Sequence, residues 1–177
     1  IPGIKVGLPA TPQDAYAMTL AAIEDPDPVI LIEHRSMYQN SGKVALSGPS
    51  EIVGGAVERR TGDDVAIITW GSMVAASLDA AEALTRSGIE TTVLDLRWLR
   101  PLDEEAIARV VERTRGRLVI AHEAFVKGGF GAEVSALITE RHFDRLSAPI
   151  LRVGTPDVRM PSAPSLQAAV VPSADDI

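Results

Sequence analysis

The chain has 177 residues, no cysteine, and a formal net charge of −7 with 46% hydrophobic residues. No cysteine means no disulfide, thiolate metal site or cysteine nucleophile, and the acidic balance argues against nucleic acid or an anionic membrane as the main partner. No apolar run approaches the roughly 20 residues that span a bilayer, and no signal-peptide pattern opens the chain, so the sequence reads as cytoplasmic.

The first block predicts a strand over Ile4–Leu8, a helix over Pro12–Glu24 and a strand over Val29–Ile32. Thr11 is placed to cap the helix, with Pro12 at its first position and Asp14 in its first turn. Two strands around one helix cannot bury both faces of a sheet, so this block is incomplete as an independent domain. Arg35 to Asp64 lacks a long hydrophobic period and carries Ser41-Gly42 and Ser47-Gly48-Pro49-Ser50, which reads as an interdomain connection. Ala56–Arg59 within it could pair as an edge strand.

From Val65 onward strands and helices alternate. Val65–Trp70 is a β-branched apolar run of the kind buried on both faces of a sheet. Ser72–Ser87 is helical in period through Val74, Leu78, Ala81 and Leu84, and Gly88 stands where that helix should stop. Thr91–Leu96 and Leu118–Ala121 continue the strands, and Asp103–Arg113 the helices. A helix to about Phe143, with Val134, Leu137, Ile138 and Phe143 facing inward, precedes a strand at Ile150–Val153. A short helix is expected around Ser165–Val170. Repeated strand–helix units force right-handed crossovers, a mostly parallel sheet and a three-layer α/β sandwich. Ligands of such sheets bind at the carboxyl ends of the strands.

Several residues are candidates for chemistry. Gly128-Gly129-Phe130-Gly131 invites an anion at the helix start, but a dinucleotide fingerprint needs glycine where Val134 stands, so close packing is the favoured reading. His34 and His122 each end a strand beside Glu33 and Glu123. Either could be a general base, yet no nucleophile accompanies them and the spacing is not that of metal ligands. Neighbours on a strand face opposite ways, which favours structural or interface roles. Asp25-Pro26-Asp27-Pro28 closes the first helix as a turn, or as a site where carboxylates and free helix-end carbonyls hold a hard cation. Arg97-Trp98 could anchor an interface, and Asp103 should cap the helix after it.

The order of the segments carries a resemblance. Pro2-Gly3-Ile4-Lys5-Val6, Thr11–Ala15, AAIEDPDPVILIEHRSMY (Ala21–Tyr38), Asp64–Gly71, LDLRWLRPLD (Leu94–Asp103), HEAFVKGGFGAE (His122–Glu133) and APILRVGTPDVRMP (Ala148–Pro161) follow one another through nearly the whole chain. In this order they resemble the beta subunit of the thiamine-diphosphate-dependent first enzyme of 2-oxoacid dehydrogenase complexes, a group that takes in pyruvate, branched-chain 2-oxoacid and acetoin dehydrogenases. The resemblance implies a transketolase-like architecture: residues 1–34 as the end of a pyrimidine-binding domain, 35–64 as the connection, and 65–177 as the carboxyl-terminal domain, with a parallel-dominated sheet and one antiparallel edge strand. It implies thiamine diphosphate and magnesium in the parent assembly, an alpha subunit and a second beta subunit completing a heterotetramer, and a lipoyl acyltransferase core as docking partner. The coenzyme-activating Glu and the catalytic His of that family match no residue here, so neither a catalytic nor a coenzyme-binding residue is assigned, and the segment reads as an assembly module. By the same match Ala22, Ile23, Asp25 and Asp27 stand where some family members hold potassium. Ser147 replaces a common Asp, and Ile177 ends the chain early; both departures speak against acyltransferase docking. The rival readings are a segment of a single-chain transketolase or deoxyxylulose-phosphate synthase, which share this last domain, and a free-standing flavodoxin-like nucleotide binder.

Overall fold

The computed structural model describes residues 1–47 and 51–177; the Gly48-Pro49-Ser50 part of the expected turn lies outside them. Two sheets organise the chain. The smaller holds β1 (Lys5–Gly7), β2 (Val29–Leu31) and β6 (Trp98–Arg100) in the order β2-β1-β6. The larger runs β3-β5-β4-β7-β8, from β3 (Val57–Arg60), β4 (Val65–Thr69), β5 (Thr91–Asp95), β7 (Leu118–Phe125) and β8 (Leu151–Thr155). β3 is antiparallel to β5, and the other pairings of the larger sheet are parallel. The edge strand expected near Ala56–Arg59 is therefore present, and it belongs to the larger sheet.

The helices start and stop where local chemistry requires. In α1 (Pro12–Glu24), Thr11 Oγ1 accepts the Asp14 amide at 3.1 Å, satisfying a first-turn donor that has no partner within the helix. Asp103 does the same for α3 (Glu104–Arg113), accepting the Ala106 amide at 2.8 Å. Beyond α2 (Met73–Thr85), Gly88 adopts φ +78°, a conformation that residues with a Cβ rarely enter.

Alternation along the central strands sorts the core into two layers. Ala66, Ile68 and Trp70 of the β4 segment, with Leu94 and Ile120, face α3 and α4 (Phe130–His142), packing on Ile107, Val110, Val134 and Ile138. Ile67, Val93, Val119 and Ala121 face the other way, onto Ala80 and Ala81 of α2. The turn at Ala174–Asp176 lies against α2 and brings Ala174 and Ile177 onto that layer. Phe143, expected to face inward, is 75% exposed, because α4 ends at His142 and the chain leaves the core in a tighter turn.

The stretch expected to be a plain link from strand to helix holds β6 instead. Arg97 sits at φ +53° and reverses the chain after β5, its amide bonded to Asp95 Oδ1 at 3.1 Å. β6 then runs antiparallel to β1 and completes the small sheet. Trp98 is fully buried there, so it anchors one part of the chain to another and does not present an exposed interface.

A buried ion network joins the two sheets. Arg59 of β3 reaches Asp95 at 2.8 Å and Asp14 of α1; Arg97 reaches Asp14 at 3.3 Å and Glu51 at 2.5 Å. Asp14 and Asp95 are almost completely shielded from solvent. Burial, with Asp14 alongside, pushes the Asp95 carboxyl up to about 6 against the pull of Arg59. Removing one partner of a buried pair strands the other's charge, so Arg59→Met should cost about 3–5 kcal/mol, read as a lower urea midpoint with the slope unchanged.

Candidate functional site

The central strands of the larger sheet diverge in their connections. β4 leads through α2 to β5 on one side, while β7 leads through α4 to β8 on the other. The gap between the carboxyl ends of β4 and β7 is thus the topological switch point of the sheet, where doubly wound folds place their ligands. A cavity of about 380 Å³ opens there, walled by Leu8, Ile32, Met37, Trp70 and Met160. Glu33, His34, Ser72 and Glu123 supply its polar lining.

Each polar group is placed by its element. Gly71, at φ +60°, turns the chain from β4 into α2 and sets Ser72 at the start of that helix. Ser72 makes no capping bond; its hydroxyl donates to Glu123 Oε2 instead. β7 alternates its side chains, so His122 points into the core and Glu123 out to the cavity. His34 leads into the short turn Arg35–Met37, and its Nδ1 accepts the Ser36 amide at 3.3 Å and lies 2.6 Å from Ser36 Oγ. An accepting Nδ1 leaves the proton on Nε2, which donates to Glu123 Oε1 at 2.9 Å. Glu123 therefore receives two neutral donors, one from each side of the junction. Tyr38 Oη donates to Glu33 at 3.2 Å.

The two His-Glu pairs expected from sequence are thus re-sorted. His34 of the first pair bonds Glu123 of the second across the junction, and His122 lies away from both. Sequence gave no sign of Ser72 or Trp70, since a serine at a helix start and an aromatic at a strand end are common outside functional sites.

His122 is fully buried, stacked on Trp70 with ring centroids 5.3 Å apart, and neither ring nitrogen has a hydrogen-bond partner among the described residues. Burial and the charge of Arg152 hold its pKa below the usual histidine value of 6.5. The glycines of the α4 entry fit against this ring. A Cβ at Gly131 would overlap His122 Nε2, and one at Gly129 would stand 2.8 Å from His122 Cε1. They serve close packing, in line with the favoured reading from sequence.

At the end of α1 the Lys5 ammonium bonds both oxygens of Asp25 at 2.7 Å and approaches Asp27 at 3.2 Å. The helix-end carbonyls are left differently. Pro26 has no amide to offer Ala22, and the Asp27 amide bonds Asp25 Oδ1 at 2.9 Å in place of the Ile23 carbonyl. Ala22, Ile23, Asp25 and Asp27 thus sit together, with the two carboxylates engaged by lysine and two carbonyls turned out of the helical ladder.

Residues 54–177 match the family described as transketolase, C-terminal domain. This chain belongs to that family. It is 40% identical over 177 residues to the acetoin:2,6-dichlorophenolindophenol oxidoreductase subunit beta of Cupriavidus necator, covering 100% of this chain and 52% of that one. It is 42% identical over 161 residues to the pyruvate dehydrogenase E1 component subunit beta of Bacillus subtilis, covering 90% and 49%. The 2-oxoisovalerate dehydrogenase subunit beta of the same organism is 39% identical over 168 residues, covering 94% and 51%. The chain spans about half the length of these relatives. The solved structure of a split gene transketolase, an inactive beta4 tetramer, superposes with a TM-score of 0.82 at 28% identity, covering 99% of this chain and 55% of that one.

Two outcomes follow for this region. Gly131→Ala should destabilise by about 1–3 kcal/mol, because the buried His122 imidazole and the Ile120 side chain must give way; urea unfolding measures it. The depressed His122 pKa means that the unfolded chain binds a proton more readily, so stability must fall as pH drops below 6.5. Wild type should lose more stability than His122→Phe between pH 7.5 and 5.5, measured as the difference in urea midpoints. Asp95 is common to both proteins and drops out of that difference.

Proposed function

We propose that this chain is the carboxyl-terminal part of a beta subunit of a thiamine-dependent 2-oxoacid dehydrogenase first component, and that it serves assembly. The observation that carries the reading is identity near 40%, over 90% or more of the chain, to beta subunits of acetoin, pyruvate and 2-oxoisovalerate enzymes. In this reading the parent decarboxylates a 2-oxoacid, or cleaves acetoin, and passes the acyl group to a lipoyl carrier. Residues 1–34 end a pyrimidine-binding domain, 35–64 connect and lend the edge strand β3 to the larger sheet, and 65–177 form the rest of the carboxyl-terminal domain that meets an alpha subunit and a second beta subunit.

The residues present do not fit thiamine diphosphate. Among the described residues no three His or carboxylate side chains converge to hold its magnesium. The polar wall of the junction cavity carries Glu33 and Glu123, whose charge opposes a diphosphate. The reading assigns the coenzyme to the remainder of the parent subunit and to the alpha subunit. Full-length beta subunit paired with its alpha subunit should turn over a 2-oxoacid or acetoin only when thiamine diphosphate and magnesium are supplied. The 177-residue chain with the same alpha subunit should not. An inactive full-length pair would overturn the parent reaction, and turnover by the short chain would overturn the assembly role.

The same reading places a potassium ion at the end of α1, held by the freed carbonyls of Ala22 and Ile23 and the backbone of Asp25 and Asp27. A divalent ion is disfavoured, since the Lys5 ammonium already engages both carboxylates and would repel it. The full-length subunit should melt at a higher temperature in potassium chloride than in choline chloride of equal ionic strength. Equal melting temperatures would remove the ion from the reading.

A further inference from the structure

The switch-point cavity has an unusual charge arrangement. Its walls are apolar, its volume is about 380 Å³, and two of its lining side chains are carboxylates. Among the described residues no lysine or arginine lines it or pairs with Glu33 or Glu123. Glu123 is held by neutral donors alone, the Ser72 hydroxyl and the His34 Nε2–H. Those bonds fix its position and leave its charge uncompensated. Several other shielded acids of the chain are paired with cations: Asp25 with Lys5, Asp95 with Arg59, Glu51 with Arg97.

We propose that this cavity is a binding site for a small alkylammonium ligand, its charge on Glu123 and Glu33 and its hydrocarbon stem against Leu8, Met37 and Trp70. An anion is disfavoured by both carboxylates. A metal ion lacks a third ligand and would gain nothing from the apolar walls. An alkylammonium uses both halves of the site, and the two methionines can adjust to its shape. The assignment stands on this chain's own geometry and does not depend on the reaction of its longer relatives.

The test titrates the 177-residue chain with n-butylammonium, n-butanol and butyrate at constant ionic strength, following the two indole N–H resonances by NMR. Trp70 lines the cavity, and the fully buried Trp98 serves as an internal reference. The Trp70 signal should shift saturably with n-butylammonium, at least tenfold more weakly with n-butanol, and not with butyrate. Glu123→Gln should weaken n-butylammonium at least tenfold while the Trp98 signal stays in place. Glu33→Gln, on an exposed side chain that folding tolerates, should weaken it about threefold. Equal binding of the alcohol and the ammonium would reduce the site to an apolar hole and overturn the proposal. So would the absence of saturation, or affinity unchanged in both variants.

Discussion

The small sheet depends on a charge network that it does not itself contain. α1 contributes one carboxylate, Asp14, while the guanidinium groups that hold it come from Arg59 on β3 and Arg97 just beyond β5. A three-stranded sheet with one helix buries too little apolar surface to hold its own position. The network, with Trp98 packed behind β1, supplies the attachment. Buried ion pairs add little net stability because desolvation offsets attraction, but a broken one is costly. Their effect is therefore orientation: Asp14 meets both guanidinium groups only when α1 lies against β3 and the β5–β6 turn. The left-handed turn at Arg97 belongs to the same arrangement, since it aims that side chain and starts β6 together.

That fixed geometry creates the junction cavity. His34 arrives from the small sheet, Ser72 and Glu123 from the large one, and their hydrogen bonds require the two units to be held in register. The acidic lining and the switch-point location then act together: topology opens the gap, and side-chain chemistry decides which ligands may enter it.

Local signals in the sequence went far with the elements. The Thr11 and Asp103 caps, the stop at Gly88 and the β-branched runs mark where helices and strands begin within a residue or two, because caps and turns are chemistry between near neighbours, but β7 runs to Phe125, four residues beyond the expected Ala121. β6 was not legible, since a three-residue strand following a left-handed arginine has no period to display. The cross-pairing of His34 with Glu123 was equally hidden: it joins residues far apart in the chain, and only the docking of the two sheets sets which histidine meets which carboxylate. Asp14 was visible as a first-turn acid, a common role, and nothing nearby announced that it would accept two guanidinium groups. Phe143 misled because helical periodicity does not say where a helix ends.

The origin of β6 bears on how this polypeptide can be divided. β6 lies between β5 and α3 in sequence yet completes the sheet formed by β1 and β2. Severing the backbone in the connecting stretch would leave the two pieces interlocked through a shared ladder, a buried indole and paired ions. Such a nicked molecule is arranged for fragment complementation, the second half carrying the missing edge strand of the first and the first supplying Asp14 to the guanidinium groups of the second.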